Sequence, residues 1–135
     1  MSTTTVERRE LGRFLAVARQ RFDKGEAPAE MFSPAVDAEW HKLLGTPGYT
    51  AFSVEHAGTV LGHREVKGFG PITWVAAYEE AYGALPEIWF TDAKGILDEA
   101  ALARYRETGA VVAEWDCSPA GGDGDGDDEA APATR

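Results

Sequence analysis

A single cysteine, Cys117, stands in 135 residues. One thiol excludes an internal disulfide, so the fold has to rest on buried apolar surface, and it points to a reducing compartment. No apolar run approaches the roughly 20 residues that span a bilayer as a helix. The opening MSTTTVERRE has no hydrophobic signal core. These absences set the expectation of a cytoplasmic protein with no membrane partner. Basic charge is also scarce, with 13 Lys and Arg against 23 Asp and Glu, a net charge of -10. From Gly121 onward, five acids (Asp123, Asp125, Asp127, Asp128, Glu129) and Arg135 account for -4, which leaves -6 on residues 1–120. A domain of that sign repels nucleic acid phosphates, so nucleic acid is not an expected partner.

Several signatures are missing. There is no G-x-S-x-G elbow and no G-x-x-x-x-G-K-[ST] loop, and Gly68-Phe69-Gly70 is not followed by Lys-Ser/Thr. Nothing in the chain supports nucleotide, flavin or haem binding. The run Asp-Gly-Asp-Gly-Asp-Asp at 123–128 lacks the spaced Glu and flanking helix of a calcium loop. Beside Asp116 the Cys117 thiol is expected to hold its proton, which argues against a nucleophile.

Helical signals dominate what is there. Thr4 and Glu7 fit a capping box, and Leu11, Phe14, Leu15, Ala18 and Phe22 recur at helical spacing before Gly25 and Pro28. Ser33-Pro34 opens a second helix with Val36, Trp40 and Leu43 or Leu44 on its apolar stripe. Thr46-Pro47 repeats the start signal, with Tyr49, Phe52 and His56 on one face and Gly58 as a stop. Residues 59–70 hold three glycines without a period and read as a loop. A fourth helix is expected from Pro71, and a fifth from Asp98 to Gly109. Two short runs, 88–90 and 110–115, have strand character and are expected to pair. The sequence therefore predicts a mainly α fold, a compact bundle of about five helices with a small two-stranded β element. Residues 1–118 form one domain in this reading, and 119–135 an acidic Gly/Asp-rich tail too poor in apolar side chains to order itself.

The three histidines, His41, His56 and His63, all lie within 23 consecutive residues. Asp37 and His41 are four apart, hence on one helix face. With His63 brought over from the following loop, they would make two imidazoles and a carboxylate, a ligand set for a divalent transition metal. Tyr49, Tyr78, Trp40 and His56 are the candidate supporting or pocket residues. The competing reading is structural: Asp37 and His41 as a local helix pair, and His56 as a core-edge histidine beside Phe52.

Asp37-x-x-Trp40-His41, Tyr49-x-x-Phe52 and His63 resemble the D-x-x-W-H … Y-x-x-F … H pattern of bacterial proteins similar to the plant glycine-rich domain-containing protein family. Tyr78-x-x-x-Tyr82-Gly83-x-x-Pro86-x-x-Trp89 resembles that family's Y-x-x-x-F-G-x-x-P-x-x-W segment. The likeness covers residues 33 to about 90, under half of the chain. It implies a compact helical domain and little about activity. This chain departs from it at Leu43 and Gly62, where relatives often carry further histidines. Two functions are carried forward: a small intracellular protein-interaction or accessory module without its own catalysis, with an unidentified protein partner, or a metal-binding protein or small metalloenzyme using Asp37, His41 and His63. No reaction is named by any motif.

Overall fold

The computed structural model describes residues 5–121. Helix α1, Val6–Asp23, buries Leu11, Phe14, Leu15 and Ala18 on one stripe. Its cap is Thr5, whose hydroxyl accepts from the Arg8 N–H at 3.1 Å; the capping residue expected at Thr4 lies outside the described residues. Helix α2, Pro34–Leu44, starts as the Ser-Pro signal requires, with Ser33 Oγ accepting from the Val36 N–H at 3.2 Å. Helix α3, Tyr49–Ala57, ends at Gly58, whose φ of 78° is the left-handed cap that favours glycine. Helices α4, Val75–Tyr82, and α5, Glu99–Thr108, complete the five. Asp98 caps α5 by accepting from the Ala101 N–H at 3.1 Å.

The expected two-stranded element is present, with one strand largely where it is expected, over 112–115, but with a different partner. Strand β1 is Gly62–Pro71, in the segment read as a loop, and it pairs antiparallel with β2, Val112–Ala120. The glycines that hid β1 serve packing. A Cβ on Gly68 would lie 2.4 Å from Cζ2 of Trp115, so the indole lies across the cross-strand position that only glycine leaves free. Gly68→Ala is therefore expected to force the Trp115 ring or the ribbon to move, at a cost of about 1–3 kcal/mol. Urea unfolding followed by Trp fluorescence would read it, and a parent-like midpoint would show that the ring has room to swing away.

The other expected strand, 88–90, is a single 3-10 turn, Glu87–Phe90. Trp89 and Phe90 are both buried, and a strand would send consecutive side chains to opposite faces. Helix α4 begins four residues after the expected Pro71, because residues 72 and 73 are tied elsewhere. The Ile72 N–H donates to Val111 O at 2.9 Å, and the Thr73 N–H and hydroxyl both donate to the buried Glu30 carboxylate at 3.0 Å. Strand β2 runs to Ala120, two residues past the boundary expected at 118. Ser118, Pro119 and Ala120 are small enough to be buried there, and they pair with Arg64, His63 and Gly62. The rest of the expected tail lies outside the described residues.

Phe14 sits at the middle of the core, with ring centroids 5.7 Å from Trp40, 5.3 Å from Trp74 and 5.8 Å from Trp89. Beside these rings is a carboxylate that the sequence does not flag. Glu10 is fully buried and accepts from the Tyr78 hydroxyl at 2.5 Å and Trp89 Nε1 at 3.0 Å. Arg9 and Arg13 close on its other oxygen at 3.1 and 3.3 Å.

Candidate metal centre

The Ser-Pro start fixes the phase of α2, and that phase decides what the helix presents. Trp40 turns fully into the core, while Asp37 and His41 share an adjacent face at its edge. His41 Nε2 is 3.4 Å from Asp37 Oδ1. His63 enters from β1, and its ring centroid lies 4.5 Å from that of His41, edge to face. The fourth group comes from β2: Cys117 Sγ donates to Asp37 Oδ1 at 3.0 Å. One ligand atom from each of Asp37, His41, His63 and Cys117 can be chosen so that all four lie within 4.8 Å of one another. A tetrahedral ion with bonds of about 2.0–2.3 Å spaces its ligand atoms roughly 3.3–3.8 Å apart. Contraction by about an ångström at the widest pair would complete that geometry.

The position of His63 is held from α3 rather than by chance of the loop. Tyr49 OH donates to Leu61 O at 2.6 Å and accepts from Trp40 Nε1 at 3.3 Å. One turn on, Ser53 Oγ donates to Thr59 O at 2.7 Å and accepts from the Leu61 N–H at 2.9 Å. These bonds clamp residues 59–61 immediately before β1. Trp40 then packs edge-on against the His63 ring at 4.7 Å. Of the four residues expected to support or line the site, Trp40 and Tyr49 are the two that lie beside His63, Trp40 by ring contact and Tyr49 through its bond to Leu61.

The electrostatics push the thiol and the buried imidazole in opposite directions, both toward the uncharged form. Burial, then the neighbouring Asp37 carboxylate, pushes the Cys117 thiol well above the usual cysteine range, so it serves as a hydrogen-bond donor. Burial, then His41, lowers the pKa of His63 and keeps its imidazole neutral, the form that ligates. Among the described residues, His63 Nε2 is buried with no hydrogen-bond partner. Leaving a buried nitrogen without a partner costs about 1–3 kcal/mol.

Two expected residues are elsewhere. Tyr78 belongs to the Glu10 network on α1 and does not reach the cluster. His56 lies on α3 with its centroid 4.5 Å from that of Phe52, and it is pressed onto Gly12 of α1, where a Cβ would be 2.6 Å from its Nδ1. It is an interhelical packing residue. Cys117 is the member that sequence reasoning passed over. It lies 80 residues from Asp37, where no short ligand spacing can reveal it, and its acidic neighbour Asp116 makes it a poor nucleophile. The available signal was slight: a lone thiol at the end of the strand-like run 110–115.

No match to the chain is found among protein-family models, curated proteins or solved structures.

Proposed function

We propose that the protein binds a divalent transition metal of the zinc class through Asp37, His41, His63 and Cys117. The observations that carry this reading are the convergence of one ligand atom each from Asp37, His41, His63 and Cys117 within 4.8 Å and, in the same His63 ring, a buried Nε2 that has no hydrogen-bond partner among the described residues. Two imidazoles, one sulfur and one carboxylate suit zinc and its neighbours. They do not suit calcium or magnesium, which take oxygen-rich shells. Four protein ligands from three segments fill a tetrahedral shell, the arrangement of a structural site; catalytic zinc sites keep one position for water. On binding, the Cys117 thiol gives up the proton it now shares with Asp37, so uptake releases a proton.

The test is the metal content of untagged protein by elemental analysis, beside His63→Ala and Cys117→Ser. About one equivalent is expected in the parent and none in either variant. Cobalt substitution adds a readout for the sulfur. Tetrahedral d–d bands with a thiolate-to-cobalt charge-transfer band are expected in the parent, and the charge-transfer band is expected to vanish in Cys117→Ser. An empty parent that takes up neither zinc nor cobalt on titration would sink the reading.

A further inference from the structure

A cleft of about 710 Å³ lies between α2, the 3-10 turn, the start of α5 and strand β2. Its volume is within the roughly 300–1,000 Å³ of ligand-binding clefts. Residues 111–116 line it in unbroken succession, which places one side of β2 along the opening.

That side is an open sheet edge. Val111 O accepts from the Ile72 N–H across the ribbon at 2.9 Å. The two-residue repeat of a strand then turns Ala113 and Trp115 toward β1 as well, opposite Gly70 and Gly68. Pro71, which has no N–H to offer, faces Val112 in the register and fits this phase. The N–H and C=O groups of Val112 and Glu114 therefore point away from β1, toward the cleft, and among the described residues no backbone group bonds to them. Further along, beyond the bulge, Met31 begins a third strand by donating to Cys117 O at 3.0 Å, but Ser33 turns the chain into α2. The sheet stops one strand short beside the cleft.

The side chains around that edge have a definite chemistry. Phe90, Leu97 and Trp115 are apolar wall, and Ile96 and Val112 are 64% and 55% exposed at its border. Among the described residues, Asp37, Asp92, Asp98, Glu114 and Asp116 supply five carboxylates against the one guanidinium of Arg104. Clefts walled by low-dielectric groups and lined by one sign of charge focus their field on an entering ligand. Long edges left unpaired are the templates for strand addition, in which main-chain bonds give affinity and alternate side chains give specificity.

We infer that this cleft docks an extended peptide segment of another protein, about five residues long, which adds as a strand to the Val112–Asp116 edge and carries basic side chains toward the carboxylates and apolar ones toward Trp115 and Phe90. This site does not depend on the metal reading, although Asp37 borders both.

A library of random twelve-residue peptides displayed on phage, panned against the full chain, is the direct probe. Enriched sequences are expected to carry net positive charge and apolar residues at alternate positions. The tightest of them, labelled and followed by fluorescence anisotropy, is expected to bind at least ten-fold more weakly to Glu114→Lys and to Asp116→Lys, whose exposed side chains leave the fold intact by circular dichroism. N-methylation of alternate peptide residues, which keeps every charge but removes the strand-forming N–H groups, is expected to cost at least ten-fold as well. No enrichment, enrichment of acidic or neutral sequences, or indifference to N-methylation would each overturn the proposal. The last of these would mean that the cleft takes a small organic cation or a folded basic surface by charge alone.

Discussion

Glu10→Ala is expected to destabilise the protein by about 3–5 kcal/mol, the range found when one partner of a buried charged cluster is removed. The size follows from what is left behind. The carboxylate is fully buried and takes bonds from the Tyr78 hydroxyl and from Trp89 Nε1, both inside the core. Each of those donors, stranded without an acceptor, costs about 1–3 kcal/mol. Arg9 and Arg13 contribute less, because their side chains are 49% and 33% exposed and can turn to water. For a domain of this size the loss corresponds to a fall in Tm on the order of 10–20 °C. Tyr78→Phe removes one donor and leaves the carboxylate its other three partners, so about 1–2 kcal/mol is expected. Urea melts of the two single variants and the double variant would measure the coupling. Glu10→Ala within about 1 kcal/mol of the parent would mean that water enters and satisfies the two donors.

Glu10 also marks where sequence reading stops. Helix α1 was legible because Leu11, Phe14, Leu15 and Ala18 repeat at the helical period, and a helix is defined by neighbours three and four residues away. The caps of α2 and α5 were legible for the same local reason, whereas α1 is capped by Thr5, one residue past the Thr4 that the capping-box spacing indicates. The Glu10 network was not, because its partners come from 68 and 79 residues away and a glutamate one position before a leucine reads as a solvated face. The ribbon failed on the same ground. Gly68 reads as loop until Trp115 is placed beside it, and the pairing of β1 with β2 is a contact between distant segments that no window contains. The run Ile88-Trp89-Phe90 was misassigned because continuous apolar character does not distinguish a buried strand from a buried turn.

The candidate centre divides along that line. Asp37, His41 and His63 were visible, the first two by i,i+4 spacing and the third by lying close in sequence in a chain with few histidines. Cys117 was visible only as a lone thiol, since its place beside Asp37 is created by the register of β2. The position of Tyr49 near the cluster follows from its closeness in sequence to His41, but its contacts do not. Its hydroxyl acts on Leu61, two residues before His63, through a backbone bond that carries no sequence signature.

Zinc at about 100 times its dissociation constant is expected to raise the unfolding free energy by about 2.7 kcal/mol, since the unfolded chain does not hold the four ligands together. The increase in Tm would be roughly 10 °C. The ligands differ in what their loss should do. Cys117 and His63 come from the two strands of the ribbon, so without either one the ion no longer ties both strands to α2. Cys117→Ser and His63→Ala are expected to lose most of the zinc-dependent gain. His63→Ala also removes the unpartnered nitrogen, so its metal-free stability is expected to suffer less than the loss of a packed ring alone would cause. His41 is different: its side chain is 56% exposed, at the solvent side of the cluster. His41→Ala leaves Asp37, His63 and Cys117 with room for a water on the ion, and it is expected to keep part of the gain while binding more weakly. Thermal melts of the parent and the three variants, with zinc and with a chelator, give this ordering directly. An equal zinc shift in all four proteins would place the ion elsewhere on the acidic surface. An equal loss in all three variants would show instead that His41 holds the ion as firmly as the two strand ligands, despite its exposure.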